Sequence, residues 1–158
     1  MTRISSPERF SRICSDLARE FGGPKPAATC SLHHPTVVDI EVDDIPFSVI
    51  YTPVERPDQL AVVCRLGALP PVDQAPVLRR LLELSFFLAG SEADVGMDPT
   101  GDDALMTIHA SLATVSAATL VQSLRMQAGL AKKWRATHFL GDAPMGTNDL
   151  LENFWSKK

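Results

Sequence analysis

From Val38 to Tyr51 apolar and polar residues alternate on both sides of Asp43-Asp44: Val38, Ile40 and Val42 lead into the pair, and Ile45, Phe47, Val49 and Tyr51 lead out. Successive side chains of a strand point to opposite faces, so this period of two predicts two strands, each with one apolar and one wet face. Aspartates readily form turns, and the chain returns on itself as an antiparallel hairpin. A third apolar run, Leu60 to Leu66, extends the hairpin to a meander.

Before the hairpin the period is helical. Phe10, Ile13, Cys14, Leu17, Ala18 and Phe21 fall on one stripe, which predicts an amphipathic helix over residues 5–21. Ser5 and Glu8 have capping-box spacing, Pro7 suits a first turn, and Gly22-Gly23-Pro24 ends the helix. A Pro-punctuated segment follows, with room for a short strand near Ala28 to Leu32.

Residues 72–89 read as a second helix, with Asp73 as N-cap and Gly90 as the stop. Its apolar residues, Val77, Leu78, Leu81, Leu82, Leu84, Phe86, Phe87 and Leu88, cover more than the single stripe that packing on a sheet uses. A second burying surface is implied, either the rest of the core or a second copy of the chain. Two short strands, residues 93–97 and 104–110, flank the acidic turn Asp98-Pro99-Thr100-Gly101-Asp102-Asp103, and a last helix spans residues 114–137. The expected fold class is α+β, with the order helix, antiparallel strands, helix, two strands, helix, and a twisted antiparallel sheet flanked by three helices. Residues 1–140 form one expected domain. Residues 141–158 form a C-terminal tail, either mobile or packed through Leu150, Leu151, Phe154 and Trp155.

Composition narrows the function. The formal net charge is -4, so a nucleic-acid partner is not expected. Lys132, Lys133 and Arg135 fall near a helix C-terminus, where they complement its dipole. Membrane insertion is not expected either, since the longest apolar run is far shorter than the ~20 residues a spanning helix requires. Three widely spaced cysteines without a CxxC pair, and an N-terminus without a signal-peptide core, suit reduced thiols and a cytoplasmic location.

No catalytic motif stands out. In the acidic turn a proline follows Asp98 and no glutamate comes until Glu152, unlike an EF loop, so it reads as a hairpin connection rather than a metal site. Cys30 and His33 form a lone Cys-x-x-His pair with no second cluster to complete a site. His109 reads as a structural histidine in a strand. No metal, cofactor or catalytic residue is expected, and the chain is not expected to be an enzyme. The uncovered edges of a sheet and apolar patches beside them remain as candidate protein-binding surfaces.

The stretch from Leu60 to His138 carries a further signal. A strand ends in Arg65-Leu66-Gly67 and Leu69-Pro70, and the helix segment Leu81-Leu82-Glu83-Leu84-Ser85-Phe86 follows. Then come the hairpin Val95-Gly96-Met97-Asp98 to Leu105 and a closing amphipathic helix ending in Lys133-Trp134-Arg135. This order resembles the type III secretion chaperones of the Tir chaperone (CesT-like) family, with Ser85 at a position where that family commonly has asparagine.

The resemblance implies a bacterial, cytoplasmic homodimer that binds the N-terminal segment of a secreted effector, associated with virulence, and keeps that segment secretion-competent without ATP. The alternative is a non-enzymatic dimeric adaptor or regulator of the same fold that sequesters a protein partner. By the same resemblance the dimer interface falls on Leu78, Leu81, Leu82, Leu84 and Phe86. Effector binding falls on Phe10, Ile13, Leu17, Ile50, Met106 and Ile108, with at least half of these expected in the core.

Overall fold

The computed structural model describes residues 5–23 and 30–141. In chain order the elements are α1 (Ser6–Phe21), β1 (Thr36–Val42), β2 (Ile45–Tyr51), β3 (Gln59–Ala68), α2 (Gln74–Leu88), β4 (Ala93–Met97), β5 (Asp103–Ser111) and α3 (Ala117–Thr137). The strands form one antiparallel sheet in the order β1-β2-β3-β5-β4. This is the predicted α+β order. The strand expected near residues 28–32 falls partly outside the described residues, and Cys30 to Leu32 belong to no strand.

The hairpin forms as its alternation requires. Val42 pairs with Ile45, which leaves Asp43 and Asp44 as a two-residue turn with φ of 52° and 66°. Positive φ at both central positions is the geometry that matches the right-handed twist of the flanking strands.

Register then carries the apolar rows across the sheet. Val38, Val49, Val62, Ile108 and Ala93 lie side by side, as do Ile40, Phe47, Cys64, Met106 and Val95. These rows face the helices. The buried side of α1, Phe10, Ile13, Cys14 and Leu17, joins α3 residues Leu120, Leu124, Ala128, Ala131 and Trp134 in the same core. Phe10 stacks on Tyr51 with ring centroids 5.1 Å apart. α2 packs beside β4 through Val77, Leu81, Leu84 and Leu88. The side chains on the other sheet face are exposed or half-buried throughout β1, β2, β3 and β5.

Local chemistry sets the helix ends. The Glu8 carboxylate accepts from the backbone N and the Oγ of Ser5, both at 2.9 Å, so the capping box forms as predicted. Gly22 closes α1 in the left-handed conformation, with φ of 76°. Asp73 does stand at the N-cap of α2, but in the left-handed conformation and with no side-chain hydrogen bond, so it supplies none of the capping expected of it. α3 begins at Ala117, where the Ser116 hydroxyl accepts from Thr119 N at 3.1 Å.

Candidate partner-binding surfaces

α2 separates the proposed interface residues into two sets. Leu81 and Leu84 are each only 5% exposed and belong to the core of a single chain. Of the residues expected at the interface, these two already fill the core of their own chain. Leu82 and Phe86 are 71% and 77% exposed, and Leu78, one turn before Leu82, is exposed as well. Spacings of four place Leu78, Leu82 and Phe86 along one solvent-facing stripe. Phe87, which the sequence reading left out of the interface, is 52% exposed and meets Phe86 edge-to-face at 5.9 Å. Arg79 and Arg80 both bond Glu83, at 3.2 and 2.9 Å, beside this stripe.

The residues suggested for effector binding do not come together. Phe10, Ile13, Leu17 and Met106 are buried in the core, because the helix stripe and the strand alternation that singled them out are what fills the space between sheet and helices. Ile108 shares their side of the sheet and is half-buried against that core. Ile50 alone lies on the opposite face, in a row with Val37, Ala61 and His109.

Of the residues named from the sequence for effector binding, only Ile50 falls on that opposite face. Its next row is Asp39, Ser48, Val63, Thr107 and Asp94. Beyond it Glu41 pairs with Pro46, and Arg65, Leu105 and Gly96 lie in line. The polar phase of the strand alternation contained the signal, because Val37, Ile50, Val63 and Leu105 are apolar residues in positions that should be wet.

The histidines and aspartates have local partners. Asp98 accepts from Thr100 N at 2.9 Å and Thr100 Oγ1 at 2.7 Å, and it shares Arg65 with Asp103, both at 3.2 Å. The bonds from Thr100, with Arg65 nearby, hold its carboxyl below the usual carboxylate range. The loop is therefore a turn closed by its own side chains, and Asp98 N donates to Asp103 O across it at 2.8 Å. Backbone N-H groups of His33 and His34 both donate to Ser31 Oγ, and both residues are exposed. His109 stands between Arg56, 3.3 Å from its Nδ1, and Asp94, 3.7 Å from its Nε2. Among the described residues no three His, Cys, Asp or Glu side chains group as metal ligands would. Burial pushes the Cys14 and Cys64 thiols up to about 12, which keeps both neutral. No helix among the described residues is long and apolar enough to cross a membrane.

The chain is a small α+β protein with helices α1 and α3 on one face of a five-stranded antiparallel sheet and an apolar stripe turned outward on its second helix. The sequence matches the Tir chaperone protein (CesT) family over residues 35–135, more than half of the chain, and the chain belongs to that family of chaperones.

Solved structures share the fold. One is similar over 84% of this chain and 96% of its own at a TM-score of 0.66 and 12% identity, and is described as the ExsC-ExsE complex. A second, the type III secretion chaperone SycH of Yersinia pestis with a stable fragment of YscM2, has a TM-score of 0.58 and 18% identity over 78% of this chain and 98% of its own. A third, the HopA1-SchA chaperone-effector complex, has a TM-score of 0.53 and 16% identity over 83% and 94%. No curated protein matches the sequence.

Proposed function

We propose that this chain is a type III secretion chaperone: a cytoplasmic homodimer that binds the N-terminal segment of a secreted effector and keeps it competent for export without ATP. Membership of a chaperone family over residues 35–135 carries the reading. The similar structures of a secretion chaperone with a bound fragment and of a chaperone-effector complex support it through the fold they share with this chain. A chaperone of this kind needs no catalytic centre. It has only to hold an extended segment along its surface so that the segment cannot bury its own apolar groups.

The homodimer reading rests on α2. Exposed Leu78, Leu82, Phe86 and Phe87 form an apolar stripe of a kind that soluble monomers rarely leave in water. Pairing this stripe with its copy about a two-fold axis would bury the same residues on both chains.

Co-purification from the native cell tests the function. The expected result is one predominant partner, a secreted protein retained through its N-terminal segment, whose export fails when this chain is deleted. A chain that runs as a monomer and recovers no secreted protein would sink the proposal. A deletion that leaves secretion intact and alters transcription would favour a regulator of the same fold.

A further inference from the structure

The helix-free face of the sheet has a defined chemistry. Val37, Ile50 and Ala61 cross it in one row, with Val63 and Leu105 in the rows beyond. Around them the charges are mostly negative. Asp39 and Glu41 stand on edge strand β1, Asp43 and Asp44 turn the hairpin at its end, and Asp94 stands on the opposite edge strand β4.

Of the basic groups nearby, Arg65 and Lys132 are paired with carboxylates, while Arg56, among the described residues, meets only the ring of His109. Arg65 is held between Asp98 and Asp103, and Lys132 is 4.0 Å from Asp43. Among the described residues no ion pair involves Asp39, Glu41 or Asp44.

We propose that this face is the docking surface for a basic peptide segment in which apolar residues alternate with lysine or arginine. The proposal deepens the chaperone reading and rests on it for the native partner: the bound segment would be selected by positive charge. Five strands spaced ~4.8 Å apart give a face wide enough to support such a segment across its width. Apolar side chains of the segment would cover Val37, Ile50, Val63 and Leu105. Its cations would meet Asp39 and Glu41 on one side and Asp94 on the other. Charge of this sign disfavours anionic lipid and nucleic acid, and it raises the encounter rate with a cationic partner.

The test uses the full chain and two synthetic peptides, one alternating lysine with valine, leucine and threonine, the other with glutamate in place of lysine. Amide NMR spectra should shift at Val37, Ile50, Val63 and Leu105 with the lysine peptide alone. The affinity should fall as salt is raised and drop by roughly tenfold or more in the double variant D39K/E41K. Asp39 and Glu41 are exposed, so the variant should fold, and the milder D39N/E41Q should lose part of the affinity in the same direction.

Equal response to both peptides, a footprint on α2 instead, or an unchanged affinity in D39K/E41K overturns the proposal. So does a shift of the same face when residues 142–158 are deleted, which would make the chain's own tail the occupant, or a shift with protein concentration, which would make it a second copy. A native secreted partner that binds D39K/E41K as well as the parent defeats this inference and leaves the chaperone reading standing. Charge-selective peptide binding with no secreted partner in the cell does the reverse.

Discussion

The indole Nε1 of Trp134 donates to the carbonyl of Gly67 at 3.1 Å, and this bond fastens the last helix to a break in the central strand. Between Arg65 and Gly67 the register of β3 against β5 shifts, and Gly67 takes φ of 128°, a conformation open almost solely to glycine. The Arg135 guanidinium completes the clasp through Nε to the Leu66 carbonyl at 3.0 Å. Bulge and helix end thus satisfy one another's polar groups.

Gly67→Ala should therefore be costly. A Cβ at Gly67 would meet Arg135 Cγ at 3.3 Å and Trp134 Cδ1 at 3.7 Å, on a backbone that already disfavours alanine. A loss of ~1–3 kcal/mol is expected from the backbone alone. Trp134→Phe removes the donor and leaves the Gly67 carbonyl short of a partner, for a loss of ~1–3 kcal/mol. Urea unfolding of both variants measures this, and an unchanged midpoint for Gly67→Ala would show that the bulge relaxes freely.

The hairpin turn offers a change in the opposite direction. Asp43 and Asp44 both hold positive φ while carrying like charges side by side. Asp44→Gly removes one strained residue and one charge at a position where glycine is the preferred occupant, and should stabilise the fold by roughly 0.5–1 kcal/mol. Thermal unfolding at neutral pH reads the gain, and a lower melting temperature would refute the turn geometry.

Much of this fold was legible because period and function of a residue coincide in strands and in α1. The alternation around Asp43-Asp44 predicts β1 and β2 within a residue or two, and the capping box predicts where α1 begins. Gly67 within an apolar run could have been read as a bulge, since glycine inside a strand often marks one. The sites were less legible. Periodicity identifies an apolar stripe but not what covers it, so Phe10, Ile13, Leu17 and Met106, buried in the core, could not be told from a waiting groove. On α2 the apolar residues nearly surround the helix, and only its seat beside β4 separates Leu81 and Leu84 from Leu82 and Phe86. On the open sheet face only Ile50 is singled out for binding, because the residues there occupy the polar phase of the pattern.

Cysteine reactivity should follow burial. Cys14 and Cys64 are fully buried with thiols raised to about 12, while Cys30 is half-buried with a smaller rise caused first by desolvation. Iodoacetamide at pH 8 should label Cys30 first in the native protein, and all three at similar rates in guanidinium. Mass spectrometry of the labelled peptides gives the order, and early labelling of Cys14 or Cys64 would contradict the packing of α1 or β3.

Acid should weaken the start of α1 in a defined direction. Bonds from the Ser5 backbone and side chain hold the Glu8 carboxyl below its ordinary value of 4.5, so the folded form binds its proton less readily than the unfolded chain. The stabilisation is complete above that ordinary value and is lost as pH falls through the lower folded value. Asp98 behaves the same way from an ordinary value of 3.8, through its bonds from Thr100. Melting temperatures of the parent and Glu8→Gln should differ at pH 6 and converge toward pH 3. A gap that persists at pH 3 would place the effect of Gln elsewhere than the capping carboxylate.

The two faces of α2 make the most discriminating pair of variants. Leu82→Asp and Phe86→Asp place charge on side chains that are 71% and 77% exposed in the single chain, so neither should unfold it. If that stripe joins two copies, each buries a carboxylate against apolar residues of the other chain, and the assembly should dissociate to a folded monomer. Leu81→Asp, one residue away, puts the same charge into the core and should cost ~3 kcal/mol or more. Sedimentation and circular dichroism together separate the outcomes: monomer with intact fold for Leu82 and Phe86, and loss of fold for Leu81. A parent chain that is already monomeric at working concentration, or Leu82→Asp and Phe86→Asp proteins that remain dimeric, would show that the exposed stripe serves some surface other than a second copy.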